Sequence, residues 1–358
     1  MSMDLRTISI EPLRQTFGHL ARRMGADKPA SRYMEGTMDL QPVENYHYRP
    51  TWDPSHDIFD PTRTRITMKD WYALKDPRQF YYGAWTLARG RMQETATADF
   101  DLAEEMGLAA GYPGAGKAVV NQVLLPLRHV AWGSNINNSY IAAYSYGIAI
   151  SQAAAYACMD QLGIAQFITR LAISLDEIDA LAEAKQAWLE APVWQGLRHY
   201  IEDQMVMEDW FELFVAQNFA LEGLLFPLIY DKLNDRLNAA HGPVLTLLTR
   251  FQREWYAENV KWVDAVLKAA AADNPANKAL LAEWIRAARQ RSIAVLAPVA
   301  ELAFGAEGAR PGRGRPATRR PRRQGRHPPV KRSAHDIQRL HRLSEERRDP
   351  LHRRGHRR

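Results

Sequence analysis

The hydrophobic and polar positions divide the chain into three stretches with different rules. From Asp76 to Phe304 apolar residues recur at helical spacing, and Ala, Leu, Glu, Gln and Arg dominate. These are strong helix formers, and the period-2 alternation of strands is missing. The pattern predicts helices over 77–107, 117–144, 146–172, 176–190, 193–203, 207–239, 243–272 and 275–302. The breaks have local causes. Gly111-Tyr112-Pro113-Gly114-Ala115-Gly116 is a turn cluster, Asp176 can cap the stretch after it, and Gly242-Pro243 separates two helices. Asn274-Pro275 places a capping side chain before a proline at the first helical position, where its missing N–H costs least. A helix of ~28 residues is ~42 Å long, so several of them imply a long-helix bundle rather than a globin-like packing. The run Ile141–Ala157 is apolar on most sides, which places it centrally in the body or against another subunit.

Residues 1–75 follow another rule. Apart from a helix-spaced set in Pro12–Met24 (Leu13, Phe17, Leu20, Met24), they are rich in Pro, Asp and aromatics, as in Tyr46-His47-Tyr48-Arg49-Pro50-Thr51-Trp52-Asp53-Pro54. Each proline removes a donor and biases its predecessor toward extended backbone, so an extended arm is predicted. Its aromatics would be costly to leave in water, so the arm should lie across its own body or a partner. The third stretch, 306–358, is rich in Arg, Pro, Gly and His.

Charge sharpens this division. The chain of 358 residues carries 47 Lys+Arg and 41 Asp+Glu, net +6. Residues 306–358 hold 18 basic and 5 acidic groups, or +13, leaving 29 and 36, or −7, for residues 1–305. All 35 aromatic residues also lie in 1–305. A uniformly basic nucleic-acid-binding protein is therefore excluded, and nucleic acid is not expected as a partner of the body. The single cysteine, Cys158, rules out an internal disulfide framework and any Cys-based zinc site. No secretory signal is visible, and no window approaches ~18 uninterrupted apolar residues. A soluble cytoplasmic protein with no membrane partner is expected.

Three motifs are candidates for chemistry. Gly111-x-x-x-x-Gly116-Lys117-Ala118 nearly spells a phosphate loop, but Ala118 lacks the hydroxyl and no strand precedes it, so a turn between helices is expected. Asp53, His56, Asp57 and Asp60 form a small oxygen and nitrogen set that also suits Asp-Pro turns. A di-iron bundle site needs a Glu from each of two helices and a Glu-x-x-His from each of two others. None of His19, His56, His129, His199 and His241 has Glu three residues before it; Glu44 stands three before His47, but in the Pro-rich arm, outside the predicted helices. Cys158 reads as a packed thiol. The clusters Met205-Val206-Met207 and Trp210-Phe211 read as core or interface.

Several segments carry a resemblance. They are Gly25-Ala26-Asp27-Lys28-Pro29-Ala30-Ser31-Arg32-Tyr33, the run His47 to Pro54, Asp60-Pro61-Thr62-Arg63-Thr64, Asp76 to Gly83, Leu125-Pro126-Leu127-Arg128-His129, Trp194-Gln195-Gly196-Leu197-Arg198 and Asp209-Trp210-Phe211-Glu212-Leu213. Over about 1–304 the chain resembles the β subunit of the hydroxylase component of bacterial multicomponent phenol hydroxylases, the group that also includes toluene and methane monooxygenases. The resemblance implies an all-α, ferritin-like long-helix bundle over 76–305 with an extended N-terminal arm over 1–75. It also implies a bundle that has lost the di-iron ligands of the family's α subunit. Arg128 then stands for one lost Glu. Gln161 and Ile164 in Asp160-Gln161-Leu162-Gly163-Ile164 stand for Glu and His, and Gln217 or Asn218 for another Glu. Glu258 remains, with Lys261 for His and a salt bridge expected between them.

By the same resemblance, this chain has no catalytic, cofactor-binding or metal-binding residue. The di-iron centre belongs to the α subunit, and FAD and [2Fe-2S] to a partner reductase. The chain would be a structural subunit packed with α and γ in an α₂β₂γ₂ hydroxylase, with the arm around a neighbour. Reductase and a small effector protein would bind transiently, and the assembly would hydroxylate phenol to catechol with O₂ and NADH. The tail departs from the family, where acidic helical sequence is expected. An out-of-frame reading of a GC-rich gene explains its abrupt start. The alternative is a disordered basic extension that binds nucleic acid or acidic surfaces.

Overall fold

The computed structural model describes residues 18–25, 28–40, 49–175 and 177–305. The basic tail and the cap expected at Asp176 lie outside these. Among the described residues there is no strand. The longer helices are α1 (Tyr82–Glu105), α2 (Leu127–Tyr144), α3 (Ile148–Ser174), α4 (Ala180–Glu190), α5 (Pro192–Gln204), α6 (Trp210–His241), α7 (Arg250–Asp273) and α8 (Pro275–Phe304).

The helix ends follow the residues that set them. Asp76-Pro77 opens a turn rather than a helix. The Asp76 carboxylate accepts from the Arg78 backbone and guanidinium, both at 2.9 Å, and Gln79 takes a positive φ of 53°, so α1 starts later than residue 77. The α2–α3 connection turns at Gly147, whose φ of 98° suits a residue without Cβ. Asp209 caps α6 by accepting from the amides of Phe211 (3.0 Å) and Glu212 (3.1 Å). The stretch expected as one helix over 243–272 breaks at Thr249 into Val244–Leu248 and α7. Asn274 caps α8 through Asn277 N at 2.8 Å, with Pro275 at the first helical position.

Three segments loosen to a π-helical turn: Val120–Leu124 before α2, and Val215–Leu221 and Pro227–Leu233 inside α6. Each wider turn slides the inward face of the residues after it. α6 is long and apolar enough to cross a bilayer. Its apolar window is 72% buried inside the body, so core packing accounts for that character.

α2, α3, α6 and α7 form the centre, with α8 against α5 and α6. One apolar core gathers Trp194, Leu197, Phe226 and Trp255; the other gathers Trp210, Phe211, Phe214 and Trp262. Trp210-Phe211 is thus core. The described part of the arm is seated on the chain's own body. Ile66 and Leu74 are fully buried in the second core. The backbone N–H of Thr67 donates to Asn277 (3.1 Å) and that of Arg65 to Asp209 (2.8 Å). Trp52 stays 75% exposed, with its indole N–H on the Tyr144 hydroxyl at 3.0 Å.

Candidate functional site

Where the four central helices meet, their inward faces carry polar side chains instead of apolar ones. Glu222 of α6 is completely buried. One of its oxygens accepts from Gln161 Nε2 of α3 at 2.9 Å and from Gln217 Nε2 at 3.2 Å, and the other from Asn259 Nδ2 of α7 at 3.3 Å. Gln217 also donates to Ser134 Oγ of α2 (2.6 Å) and accepts from Asn137 Nδ2 (2.9 Å), which reaches Gln204 Oε1 at 3.1 Å. Every member of this network is buried. Burial pushes the Glu222 carboxyl up to about 8, against the bonds from Gln217 and Asn259 that pull it down. At pH 7 the centre is therefore mainly an uncharged network of a carboxylic acid and amides.

A second buried cluster flanks it. Asp160 accepts from Arg89 through Nε and Nη2, both at 2.8 Å, from Trp85 Nε1 at 3.0 Å and from Trp255 Nε1 at 2.9 Å. Arg89 Nη1 reaches Glu258 at 2.7 Å. The bidentate guanidinium and two indoles neutralise a carboxylate that would otherwise be untenable there.

The central cavity measures about 10 Å³ and is lined by Ser134, Gln161, Ile164, Gln217, Glu222 and apolar neighbours. That is room for about one water, not for a substrate. Residues 52–274 match the Methane/Phenol/Alkene Hydroxylase family. The chain belongs to that family. It is 45% identical over 307 residues to the oxygenase component DmpL of phenol 2-monooxygenase from Pseudomonas sp. (strain CF600), spanning 85% of this chain and 92% of the relative. It is 26% identical to the hydroxylase component subunit beta of the toluene-4-monooxygenase system of Ectopseudomonas mendocina, over 60% of this chain and 67% of the relative. Among solved structures, a chain of xenon-pressurized phenol hydroxylase from Pseudomonas sp. OX1 superposes with a TM-score of 0.79 at 40% identity, covering 86% of this chain and 94% of that one. A chain of toluene 4-monooxygenase, at 21% identity and TM-score 0.71, shares the fold.

Bundles of this family type suggest iron, so the donor set matters. A di-iron centre takes four carboxylates and two imidazoles. The central network here offers one carboxyl, bonded to three neutral amides, and no imidazole. Among the described residues no group of three or more His, Cys, Asp or Glu is placed to hold a metal. The residues present do not fit a di-iron group, because amides and a protonated acid supply neither the charge nor the donors iron requires.

The positions expected from sequence are only partly brought together. Gln161 and Gln217 lie in the network, and Ile164 lines the cavity. Arg128 does not: its Nη2 donates to Leu181 O at 3.0 Å. Glu258 pairs with Arg89, not with Lys261 as expected, and the inward position on α7 is the next residue, Asn259. Asn218 is buried outside the network. Glu222 was not singled out from sequence.

The remaining motifs are engaged structurally. Lys117 donates to Leu175 O at the end of α3 at 2.5 Å, and the glycine-rich loop joins two helices. Asp53 bonds Ser55, His56 and Arg63, which together hold its carboxyl well below the usual carboxylate range. Asp60 caps the turn Pro61–Arg63. His129 stacks on Trp188, and burial lowers it to about 4, so it stays neutral. Cys158 Sγ sits within 3.0 Å of Asn135 Nδ2 and Ser139 Oγ.

Proposed function

We propose that this chain is the non-catalytic β subunit of the hydroxylase (oxygenase) component of a multicomponent phenol monooxygenase. The observation that carries this reading is the Glu222 network, in which one buried carboxyl bonded to three amides, with no imidazole, occupies the heart of a hydroxylase-family bundle. The names of the relatives support it: one is an oxygenase component of phenol 2-monooxygenase and another a hydroxylase subunit beta. On this reading the reaction, phenol to catechol with O₂ and NADH-derived electrons, runs at a di-iron centre in an α subunit, with FAD and [2Fe-2S] in a separate reductase. The assembly is α₂β₂γ₂ and cytoplasmic, and a small effector protein joins it transiently.

The work of this chain is mechanical. A bundle whose centre is a buried hydrogen-bond network has a preferred register, because slipping a helix breaks the bonds between buried carboxyl and amide groups. Such a subunit offers a rigid platform to the one that holds iron.

The test is reconstitution. Iron-loaded α and γ should give little phenol hydroxylation with reductase and effector until this chain is added. Gln161→Ala in this chain should leave restored activity within a factor of about two wherever the subunit still folds. Full activity without this chain would overturn the proposal.

A further inference from the structure

The helical hairpin α2–α3 breaks a rule that the rest of the surface obeys. From Val130 to Thr169, 40 consecutive residues, the only charged side chain is Asp160, and Asp160 points inward onto Arg89 and two indoles. Between Val130 and Thr169 the outward face of the hairpin therefore carries no charge, and Arg128 and Arg170 stand only at its open end. What it carries is apolar: Trp132 is 55% exposed, Leu162 48% and Met159 41%, with Ile136 half-buried beside them. The long apolar window of α6 is explained by its burial; this face is not. The exposed sides of α1, α7 and α8 are studded with Arg, Lys, Asp and Glu, as solvated helices are.

The polar groups on the face are also prepared for dehydration. Asn135 Nδ2 donates to Cys158 O at 2.8 Å, and Ser139 Oγ donates to Asn135 O at 2.9 Å while touching Cys158 Sγ at 3.0 Å. Gln152 Nε2 donates to Phe80 O, and Thr169 Oγ1 to Ala165 O. Their bonds are made within the chain, so covering them leaves few donors or acceptors unmatched. At the end of α2, the exposed Trp52 rests on the Tyr144 hydroxyl.

We infer that the outward face of the α2–α3 hairpin, centred on Trp132, Met159 and Leu162, is the seat of the iron-bearing α subunit, which presents an equally uncharged helix face to it. The inference rests on the functional reading above. The size is right. A helix pair about 27–40 Å long and ~20 Å wide offers ~500–800 Å², against ~800 Å² per partner in a standard stable interface. Tryptophan is the side chain that most often anchors such an interface. A second copy is disfavoured as occupant by charge, since each body carries −7 and two would repel on approach.

The test co-expresses the full chain with α and γ of the same oxygenase and measures assembly. Leu162→Arg sets an unpaired cation in the face. It should weaken association with α on the order of 30-fold or more, the penalty of a lost central anchor, while helix content and unfolding midpoint stay unchanged. Ile293→Arg, at a matched 45% exposure on α8, should assemble like the unmodified chain. If Leu162→Arg fails to fold, hydroxyl-radical oxidation of the unmodified complex decides: Met159 and Trp132 should be protected by about tenfold on assembly, as expected for residues at the centre of an interface. Normal assembly of a folded Leu162→Arg, unprotected Met159 and Trp132, or a self-association that Leu162→Arg abolishes would each overturn this seat. If the unmodified chain does not associate with α at all, the functional reading itself fails.

Discussion

Replacing Glu222 with Gln isolates one term in the stability of the fold. The carboxyl is fully buried and raised from 4.5 to about 8 by burial. Between those values the folded chain holds a proton that the unfolded chain has released. Stability therefore falls as pH rises through this window, by at most about 1.4 kcal/mol per pH unit for one group. From pH 5 to pH 8 the loss sums to roughly 4 kcal/mol as an upper figure. Glutamine has nearly the same shape, can still bond Gln161, Gln217 and Asn259, and does not titrate. Glu222→Gln should therefore match the parent at pH 5 and exceed it increasingly toward pH 8. A body of this size changes its midpoint by roughly 1.6 °C per kcal/mol, so the gap at pH 8 should be on the order of 5 °C. Thermal unfolding of parent and variant across pH 5–8 measures it. Every other carboxylate titrates equally in both proteins, so the difference reports Glu222 alone. Parallel curves, or a variant that loses ground at high pH, would refute a neutral acid at the centre.

Other consequences follow from named contacts. Arg89→Ala leaves the buried Asp160 with only two indole donors and should cost about 3–5 kcal/mol in denaturant unfolding. Gly133→Ala places a Cβ 2.3 Å from Ile201 Cγ2 where α2 crosses α5, and should destabilise by about 1–3 kcal/mol; Gly196→Ala, whose nearest neighbour would lie at 3.8 Å, should be close to neutral in the same assay. Because the aromatics all lie in 1–305, a chain ending at Gly305 should keep the parent's unfolding midpoint and its assembly with the oxygenase partner.

How much of this was legible in the sequence depends on the kind of feature. Helix ends were readable because capping is local: Asn274-Pro275 and Gly242 act where they stand. The inward residues of α6 were not. Two π-helical turns, Val215–Leu221 and Pro227–Leu233, each upset a count of three and four begun at Trp210. One residue of slip rotates a helix face by about 100°. Glu222 lies just past the first of these turns, so regular spacing does not reveal it. On α7 the signal was present. Trp255, Trp262, Val263 and Val266 form the buried stripe, and Asn259 falls on it while Glu258 does not. Matching Glu258 to a ligand pattern overrode that periodicity. The pairing of Arg89 with Asp160, across 71 residues, leaves no trace in local spacing. The arm's aromatics demanded cover, but only the structure shows Ile66 and Leu74 entering the chain's own second core.

The central claim, a hydroxylase-family bundle that serves the reaction without holding iron, is tested most directly by metal analysis of this chain alone. Purified without its partners from iron-supplemented cells, it should carry substoichiometric iron and hydroxylate no phenol with reductase and effector. It should then support activity once the iron-loaded partner is added. Stoichiometric iron bound to the isolated chain, lost on replacing Glu222 with Ala, would contradict the account.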